Sequence, residues 1–575
     1  MKAMGLDSLS SARLLAEGLM ERGLGGIVFS PGSRNAPLIQ AFAPSHLPGG
    51  VALDERSAAH HALGMSLALQ RPVAVCCTSG TAALNHGPAL AEADRSGLPL
   101  ISLTADRPAG AHLEWQSQTL LQDGLHALHT RAHFTWSPAN KQEAKAQLDA
   151  MAAALGKGPI HVNCPFEEPL YGEGTEGAGH PLGTPPAPAD PNGDSASDRL
   201  SYQEAAHAFG SRMRRAAENQ ERILLLGGTQ SLSLSGACLS TWAEHAVIAG
   251  DPTSGLAQKD VPVITACDRW LSAWNSEGLP WAEVQPDLIV TFGAPLLSRR
   301  LRAALSQGVA EHIHLDRSGQ SPNAFGTSCR GAACPVDMAL EAGAASLAAT
   351  PAPGPSHSTS MEWRNRWWAL EQKLRHAHGD AMAAVAWSDL KVHECLHDML
   401  PEDWDLHLGN STPVRYAALF SPTKGPMAWS NRGAAGIDGC SSTAVGASLA
   451  GRRVTLITGE LGFLYDANAF HLHPLPTDLR IAVIHNGGGG IFRWLDGPDR
   501  TRMATSHFEW QHDTELRPLC DLHGLEHERV TDETALRLAL RDWWTPSDAP
   551  KVLEIVTPGE QSAAEYLRYM EFVRH

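Results

Sequence analysis

The sequence predicts an α/β protein built from three doubly wound parallel-sheet domains. Short apolar runs alternate with turns and helical patterns along most of the 575 residues, which is typical of βα units in a buried parallel sheet. A chain of this length exceeds what one hydrophobic core usually supports, and about three domains are expected. Two stretches rich in Gly, Pro and Ala, at residues 172–198 and 348–360, separate the three runs.

Each predicted strand ends in a turn that leads into a helical pattern, the first of these helices starting at about Asn35. The predicted strands are 26–29, 72–77, 100–104 and 160–163 in the first region, 223–226, 288–292 and 312–315 in the middle region, and one near Leu406, 454–457, 481–484 and 552–556 in the third. The predicted domains are residues 1–185, 198–350 and 360–575. Ligands of such sheets bind beyond the carboxyl ends of the strands, so the turns there are where functional residues are expected.

Composition excludes several classes of protein. The net charge of −17 argues against a nucleic-acid-binding surface. No apolar run approaches the roughly 20 residues that span a bilayer, and residues 1–10 lack a signal-peptide pattern. Ten cysteines without CxxC spacing indicate reduced thiols and predict a cytoplasmic location. Because the overall negative charge repels anions, the binding of an anionic substrate would require a local cluster of arginines.

The segment 456–490 contains oxygen-bearing side chains at the ends of two predicted strands. Glu460 follows the first strand and Asn486 follows the second, 26 positions later. Two such ligands on adjacent strand ends suit a hard cation shared with phosphates, and the glycines 487–490 allow close approach of the backbone to a diphosphate. From the residues alone, a glycine-rich loop without a special role is an equal alternative.

Glu55 follows another predicted strand, between Asp54 and Arg56. A partly buried carboxyl group beside an apolar ring has a raised pKa, which suits the sharing of a proton with a ligand. Taken alone, a glutamate in this setting is more often part of a solvated helix start.

Segment 456–490 resembles the metal–diphosphate motif of thiamine-diphosphate enzymes, which is GDG, about 25 residues, and then NN. Glu460 stands where the family has Asp, and Gly487 stands where it has the second Asn. Further segments together resemble the 2-succinyl-5-enolpyruvyl-6-hydroxy-3-cyclohexene-1-carboxylate synthase family, known as MenD. They are SPGSRNAPL, TSGTAALN, LTADRP, HVNCPFEEPLY, NSTPVRYAAL and SNRGAAGIDG. The resemblance runs from about Arg13 to Val556, in the family's order.

The resemblance implies a transferase of menaquinone (vitamin K2) biosynthesis that uses thiamine diphosphate with Mg²⁺, or Mn²⁺ in its place. Its substrates are 2-oxoglutarate, which is decarboxylated, and isochorismate, which receives the succinyl unit by conjugate addition. The resemblance identifies the three predicted domains, in chain order, as the pyrimidine-binding, central and diphosphate-binding domains. In the family the two cofactor-binding domains of one site come from different subunits, so a homodimer or homotetramer is expected.

The resemblance also assigns site residues. Those expected in catalysis are Glu55, Gln118 and Arg34. Those expected at the cofactor are Glu55, Ser411, Ile437, Glu460, Asn486 and Gly488, of which the last three are expected at the metal. Those expected at the substrates are Ser33, Arg34, Arg107, Gln118, Arg299, Arg300, Arg415, Arg432, Ile491 and Phe492.

Three alternatives remain at this stage. The first is a different thiamine-diphosphate carboligase. The predicted arginines argue against it, because a small neutral acceptor needs no arginine cluster. A catalytically inactive paralogue that acts as a binding protein is favoured by Glu460 and Gly487, and disfavoured by the presence of Glu55 and the arginines. A nucleotide-binding protein would use the glycine loop, but the chain has no P-loop and no GxGxxG motif followed by an acid.

Overall fold

The computed structural model describes residues 6–574 except 109, 113, 115, 172–195, 233, 258–260, 351–358, 421–426 and 496–506. Its three sheets consist almost wholly of parallel strands that alternate with helices, which confirms the predicted α/β class. Most of both predicted linkers lies outside the described residues, so the domain limits stay a prediction. Among the described helices, none combines the length and the apolar character that crossing a membrane requires.

The first sheet has seven strands in the order β15-β2-β1-β3-β4-β6-β5. Its strands are β1 Gly26–Phe29, β2 Gly49–Ala52, β3 Val73–Cys77, β4 Leu100–Asp106, β5 Ala132–Thr135, β6 Ile160–Pro165 and β15 Leu472–His473. Its helices are α1 Ser8–Glu21, α2 Ala36–Phe42, α3 Glu55–Leu69, α4 Thr81–Leu84, α5 Gly87–Ser96 and α6 Lys141–Leu155. Among the strands of the described residues, only β15, which comes from the third region, pairs antiparallel, and its partner is β2.

The middle sheet has five parallel strands in the order β11-β10-β9-β7-β8. They are β7 Ile223–Gly227, β8 Ala246–Gly250, β9 Leu288–Phe292, β10 Glu311–Asp316 and β11 Cys329–Ala333. The helices of this region are α7 Ala196–Glu218, α8 Gly236–His245, α9 Cys267–Ser276, α10 Arg299–Leu305 and α11 Val336–Ala348.

The third sheet has six parallel strands in the order β13-β12-β14-β16-β18-β17. They are β12 Asp405–Leu408, β13 Ala428–Trp429, β14 Val454–Gly459, β16 Leu479–His485, β17 Glu526–Val530 and β18 Lys551–Val556. The helices are α12 Thr359–Ala383, α13 Asp389–Met399, α14 Thr412–Ala417, α15 Cys440–Leu449, α16 Glu460–Tyr465, α17 Arg517–His523, α18 Glu533–Leu540 and α19 Gly559–Phe572.

Every strand predicted from the sequence is present, and the structure adds seven that were not predicted. Most of the added strands lie at or near sheet edges, and β5 and β17 are half exposed, so they carry no continuous apolar run. Strand β8 is fully buried but begins directly at the end of α8 without a turn residue. A pattern read from apolar runs and turns misses both kinds of strand.

The first and third regions of one chain pack against each other through α3 and α15. A Cβ atom on Gly64 would lie 2.0 Å from the carbonyl oxygen of Thr443, and one on Gly446 would lie 2.0 Å from that of His61. Only glycine permits this approach of two backbones. Buried side chains of both regions form one hydrophobic cluster, so the two sheets keep a fixed relation within the chain.

Candidate active site

Glu460 and Asn486 lie at the carboxyl edge of the third sheet, where the neighbouring strands β14 and β16 end. The side chain of Glu460 is buried, and its Oε1 accepts a hydrogen bond of 2.7 Å from the backbone N–H of Gly488. Asn486 donates its Nδ2 to Oδ2 of Asp389 at 2.7 Å. Its Oδ1 is buried and has no hydrogen-bond partner. The edge therefore presents oxygen atoms whose bonding capacity is unfilled.

The glycine loop that follows Asn486 requires its glycines. Gly487 and Gly488 have φ angles of 80° and 151°, which residues with side chains rarely adopt. A Cβ atom on Gly488 would lie 2.7 Å from the carbonyl oxygen of Glu509, and Gly489 donates its N–H to that same oxygen at 2.5 Å. The loop is thus held by backbone contacts that only glycine permits.

Burial controls the charge of the acids at this edge. It raises the pKa of Glu460 to about 7, and the neighbouring Asp389 acts in the same direction while His485 opposes it. Burial also raises the pKa of Asp389, although hydrogen bonds from Thr557, Asn486 and Ser562 lower it. A divalent cation would favour the charged form of Glu460 and reverse the effect of its burial.

Two arginines lie at the same edge. Arg432 is buried and donates Nη1 to Oδ1 of Asn410 at 2.9 Å, while its Nε is buried without a partner. Arg415 donates Nη1 to the carbonyl oxygen of Ser411 at 2.7 Å. Burial lowers the pKa of Arg415, and the charge of Arg432 lowers it further. The two guanidinium groups are close enough to repel each other, as expected of a site that receives an anion.

The middle region adds charges to this pair. The charge of Arg299, which begins α10, lowers the pKa of Arg415. The charges of Arg300 and Arg415 oppose the rise that burial causes in the pKa of the Tyr566 hydroxyl. Asp251, which follows β8, is the counter-charge: burial raises its pKa to about 7, and Arg432 and Arg415 oppose that rise. The four predicted arginines of these two regions therefore converge on one location.

Arg34 and Arg107 lie at the carboxyl edge of the first sheet. Arg34 donates Nη1 to the carbonyl oxygen of Phe166 at 3.1 Å, and its Nη2 lies 3.2 Å from a carboxylate oxygen of Glu168. Arg107 donates its backbone N–H to Oδ1 of Asp106, and its Nε is buried without a partner. Burial raises the pKa of Asp106, while Arg34 opposes the rise. Asp106 is thus bonded by the backbone of Arg107 and lies within reach of the charge of Arg34.

Gln118 is exposed and has a φ of 59°, in the left-handed region. Its Nε2 donates to the carbonyl oxygen of Ser79 at 3.0 Å, and its own carbonyl oxygen accepts from the Ser79 hydroxyl at 3.0 Å. A non-glycine residue keeps this conformation only where its surroundings fix it, and such positions cluster at functional sites. Ser33, also predicted at the substrates, is exposed in the turn after β1.

Glu55 is the first residue of α3 and is partly buried. Its pKa is raised by burial and by the adjacent Asp54. The charge of Glu55 in turn contributes to the raised pKa of the Cys77 thiol in β3. All these groups belong to the first region. Among the described residues, no hydrogen bond or ion pair joins Glu55 directly to Glu460 or Asn486.

The remaining predicted cofactor and substrate residues lie near Glu460 and the glycine loop. Ser411 precedes α14 with a φ of 76°. The Cβ atom of Ile437 lies 3.9 Å from where a Cβ on Gly462 would stand. Ile491 is buried, and the ring of Phe492 lies 5.6 Å from that of Phe508. These apolar groups border the polar edge on which the cation residues lie.

Comparison with known proteins identifies the family. Residues 9–128 match the model of the thiamine pyrophosphate enzyme N-terminal TPP binding domain. A 2-succinyl-5-enolpyruvyl-6-hydroxy-3-cyclohexene-1-carboxylate synthase of Christiangramia forsetii is 31% identical over 95% of this chain and 96% of its own length. Proteins of the same name from Desulfotalea psychrophila and Halorubrum lacusprofundi are 33% and 31% identical, over 94% and 96% of this chain and 97% and 95% of their own lengths.

The chain belongs to this synthase family. It is therefore an enzyme that uses thiamine diphosphate, and the resemblance stated from the motifs is confirmed.

The residues of this synthase fit the cofactor by their own chemistry. Asn486 has an unpartnered buried oxygen, Glu460 is a buried carboxyl group, and the loop at Gly488 has no room for a side chain. This is an oxygen-rich set beside a backbone that a diphosphate can approach. The replacement of the family's Asp by Glu460 leaves a carboxylate at the required edge.

Sequence reasoning missed several residues of the site. Asp389, which holds Asn486, lies 97 positions away in the chain and had no local signal. Asp251 follows a strand that was not predicted. Asn410 and His485 could have been found, since Asn410 opens the quoted segment NSTPVRYAAL and His485 directly precedes Asn486. Polar residues at the ends of predicted strands are the signal that would have included both.

Proposed function

We propose that this enzyme decarboxylates 2-oxoglutarate with thiamine diphosphate and adds the succinyl unit to isochorismate. The products are carbon dioxide and 2-succinyl-5-enolpyruvyl-6-hydroxy-3-cyclohexene-1-carboxylate, an intermediate of menaquinone biosynthesis. The observation that carries the proposal is the full-length similarity to synthases of that name. The convergence of arginines supports it, because both substrates carry two carboxylates and the protein as a whole is acidic.

The cofactor-binding part of the proposal uses the third sheet. Glu460, Asn486 and the backbone of Gly488 would hold a divalent cation, Mg²⁺ or Mn²⁺, together with the diphosphate. Ser411 would bind the diphosphate, and Ile437 would pack against the cofactor. When bound, thiamine diphosphate supplies the carbon nucleophile and stores the electrons released as carbon dioxide leaves.

Glu55 is the residue that exchanges a proton with the cofactor. Its carboxyl group would hydrogen-bond the aminopyrimidine ring of the cofactor and exchange a proton with it. The raised pKa of Glu55, caused by burial and by Asp54, suits this exchange because it lies closer to neutral pH.

Substrate binding and exclusion of water fall to other residues. Arg415, Arg432, Arg299 and Arg300 hold carboxylates on one side, while Arg34, Arg107 and Ser33 hold them on the other. Gln118, fixed by Ser79, orients isochorismate near the reacting carbons. Ile491 and Phe492 would form an apolar wall that excludes water from the reacting atoms.

We further propose that the active enzyme is a homodimer or homotetramer in which Glu55 of one copy serves the cation site of another. The resemblance to the family supports this, because in the family the two cofactor-binding domains of one site come from different subunits. All ten cysteines are free, which suits the cytoplasm.

The test is direct. The full chain is mixed with thiamine diphosphate, Mg²⁺, 2-oxoglutarate and isochorismate, and the products are analysed by mass spectrometry. The proposal expects one adduct whose mass equals both substrates less carbon dioxide. Omitting isochorismate shows whether decarboxylation needs the acceptor. Release of carbon dioxide without adduct would support a different carboligase, and no reaction at all would support the inactive paralogue.

A further inference from the structure

Two histidines border the cation residues of the third sheet. One ring nitrogen of His485, one of His512 and a carboxylate oxygen of Glu460 all lie within 4.8 Å of one another. The two imidazole rings stack with 5.5 Å between their centroids. His485 is the last residue of β16 and directly precedes Asn486. Nitrogen atoms are therefore available where the proposed function uses only oxygen ligands.

The orientation of His485 is that of a metal ligand. Its Nδ1 lies 2.7 Å from Oε1 of Glu554, whose other oxygen lies 2.8 Å from Nε2 of His527. A carboxylate only accepts hydrogen bonds, so the Nδ1 of His485 carries the hydrogen and its Nε2 carries a lone pair. A carboxylate behind a histidine in this way fixes the ring and makes it a better ligand.

His512 is oriented differently. Its Nδ1 accepts a hydrogen bond of 3.1 Å from the backbone N–H of Thr514, so in the neutral ring the hydrogen is on Nε2. That Nε2 lies 3.5 Å from Oε1 of Glu460. In this form the ring therefore presents a hydrogen, not a lone pair, to the carboxylate, without forming a hydrogen bond to it.

We propose that His485 supplies its Nε2 to the cation held by Glu460 and Asn486, so that this site binds a first-row divalent transition cation such as Mn²⁺ in preference to Mg²⁺. The inference rests on the proposed function, since the cation is the one that holds thiamine diphosphate. Mg²⁺ favours all-oxygen octahedral coordination, whereas imidazole suits transition cations. The departures from the family motif, Glu460 and Gly487, fall at this same site.

The experiment uses the full chain with thiamine diphosphate and Mn²⁺. Electron spin-echo envelope modulation is recorded on unlabelled protein and on protein containing ¹⁵N-histidine, for the wild type, His485→Asn and His527→Asn. His527 is the matched control, because it binds the same carboxylate but is not in the cluster. We expect label-dependent modulation in the wild type and in His527→Asn, and none in His485→Asn. The Mg²⁺ concentration that displaces half of the Mn²⁺ should fall about tenfold or more in His485→Asn.

Wild-type protein that binds Mn²⁺ in the presence of thiamine diphosphate without label-dependent modulation would overturn the inference and leave the proposed function standing. Modulation that survives in His485→Asn and disappears in His512→Asn would also overturn it, because the nitrogen would then belong to His512. A wild-type spectrum without modulation overturns the inference even where a variant fails to fold. Failure of the proposed function has a separate sign, namely that no adduct forms with either cation.

Discussion

The carboxyl edges of the third and first sheets differ in how completely one chain builds them. At the third sheet, Glu460 is buried and Asn486 is held by Asp389, itself bonded by Thr557 and Ser562. At the first sheet, Gln118 is exposed and Glu55 only partly buried. The groups at the third edge are thus buried and bonded before any ligand arrives, while these two residues of the first edge are more open to solvent. The predictions below test this contrast.

The largest effect is expected from Glu55→Gln at the open edge. The amide cannot take up the proton that the carboxyl group shares with the cofactor, so turnover should fall by roughly 10²- to 10⁴-fold. Adduct formation and the thermal unfolding midpoint are measured together, with Glu17→Gln on the exposed face of α1 as the control. The fold should survive in both variants. Normal turnover in Glu55→Gln would remove Glu55 from the mechanism.

The next effect is expected from Asp389→Asn at the third edge. The variant can offer an N–H where Asn486 now meets an acceptor, which allows the Asn486 amide to turn its oxygen away from the cation. Cation affinity, measured by calorimetry with thiamine diphosphate present, should weaken by about 10- to 100-fold, and activity should return at high cation concentration. Asp398→Asn, on the same helix and exposed, is the control. Equal affinities in the two variants would contradict a positioning role for Asp389.

The pKa of Glu460 predicts how stability depends on pH without a cation. Burial raises this pKa from 4.5 to about 7, so the folded chain binds a proton that the unfolded chain releases. That stabilisation is full below about pH 4.5 and is lost as pH rises through about 7. Glu460→Gln stays neutral, so its stability relative to the wild type should rise by ~1–3 kcal/mol between about pH 5 and pH 8.

Denaturant unfolding of both proteins across this pH range measures the difference. Addition of the cation is the control, since it should stabilise the wild type above about pH 7 and leave Glu460→Gln almost unchanged. A difference that does not vary with pH would show that Glu460 is ionised throughout the range.

The smallest effect is expected from Glu460→Asp, which restores the family's residue. Mg²⁺ binding should be unchanged or tighter, because the shorter carboxylate remains at the same edge and Asn486 is undisturbed. Calorimetric titration with Mg²⁺ measures this, with Glu460→Gln as the comparison that removes the charge. Complete loss of Mg²⁺ binding in the aspartate variant would reveal a coordination geometry that requires the longer side chain.

The sequence predicted most of the buried strands, and its motifs predicted residues of the candidate site. Buried parallel strands such as β3 are continuous apolar runs, so they are visible in sequence, whereas β17 is largely exposed and has no such run. Residues in turns after predicted strands, such as Arg34, were found. Asp389 was not, because its role depends on two helices and a strand end that meet only in the folded chain.

The central claim is that one thiamine diphosphate is held between these two edges. A crystal structure of the full chain with thiamine diphosphate and its cation tests it most directly. The account predicts the Glu55 carboxyl group of one copy at hydrogen-bond distance, about 3 Å, from the aminopyrimidine ring, with Glu460 and Asn486 of another copy at the cation. A bound cofactor with Glu55 remote from it, or with Asn486 turned away from its diphosphate, would contradict the account.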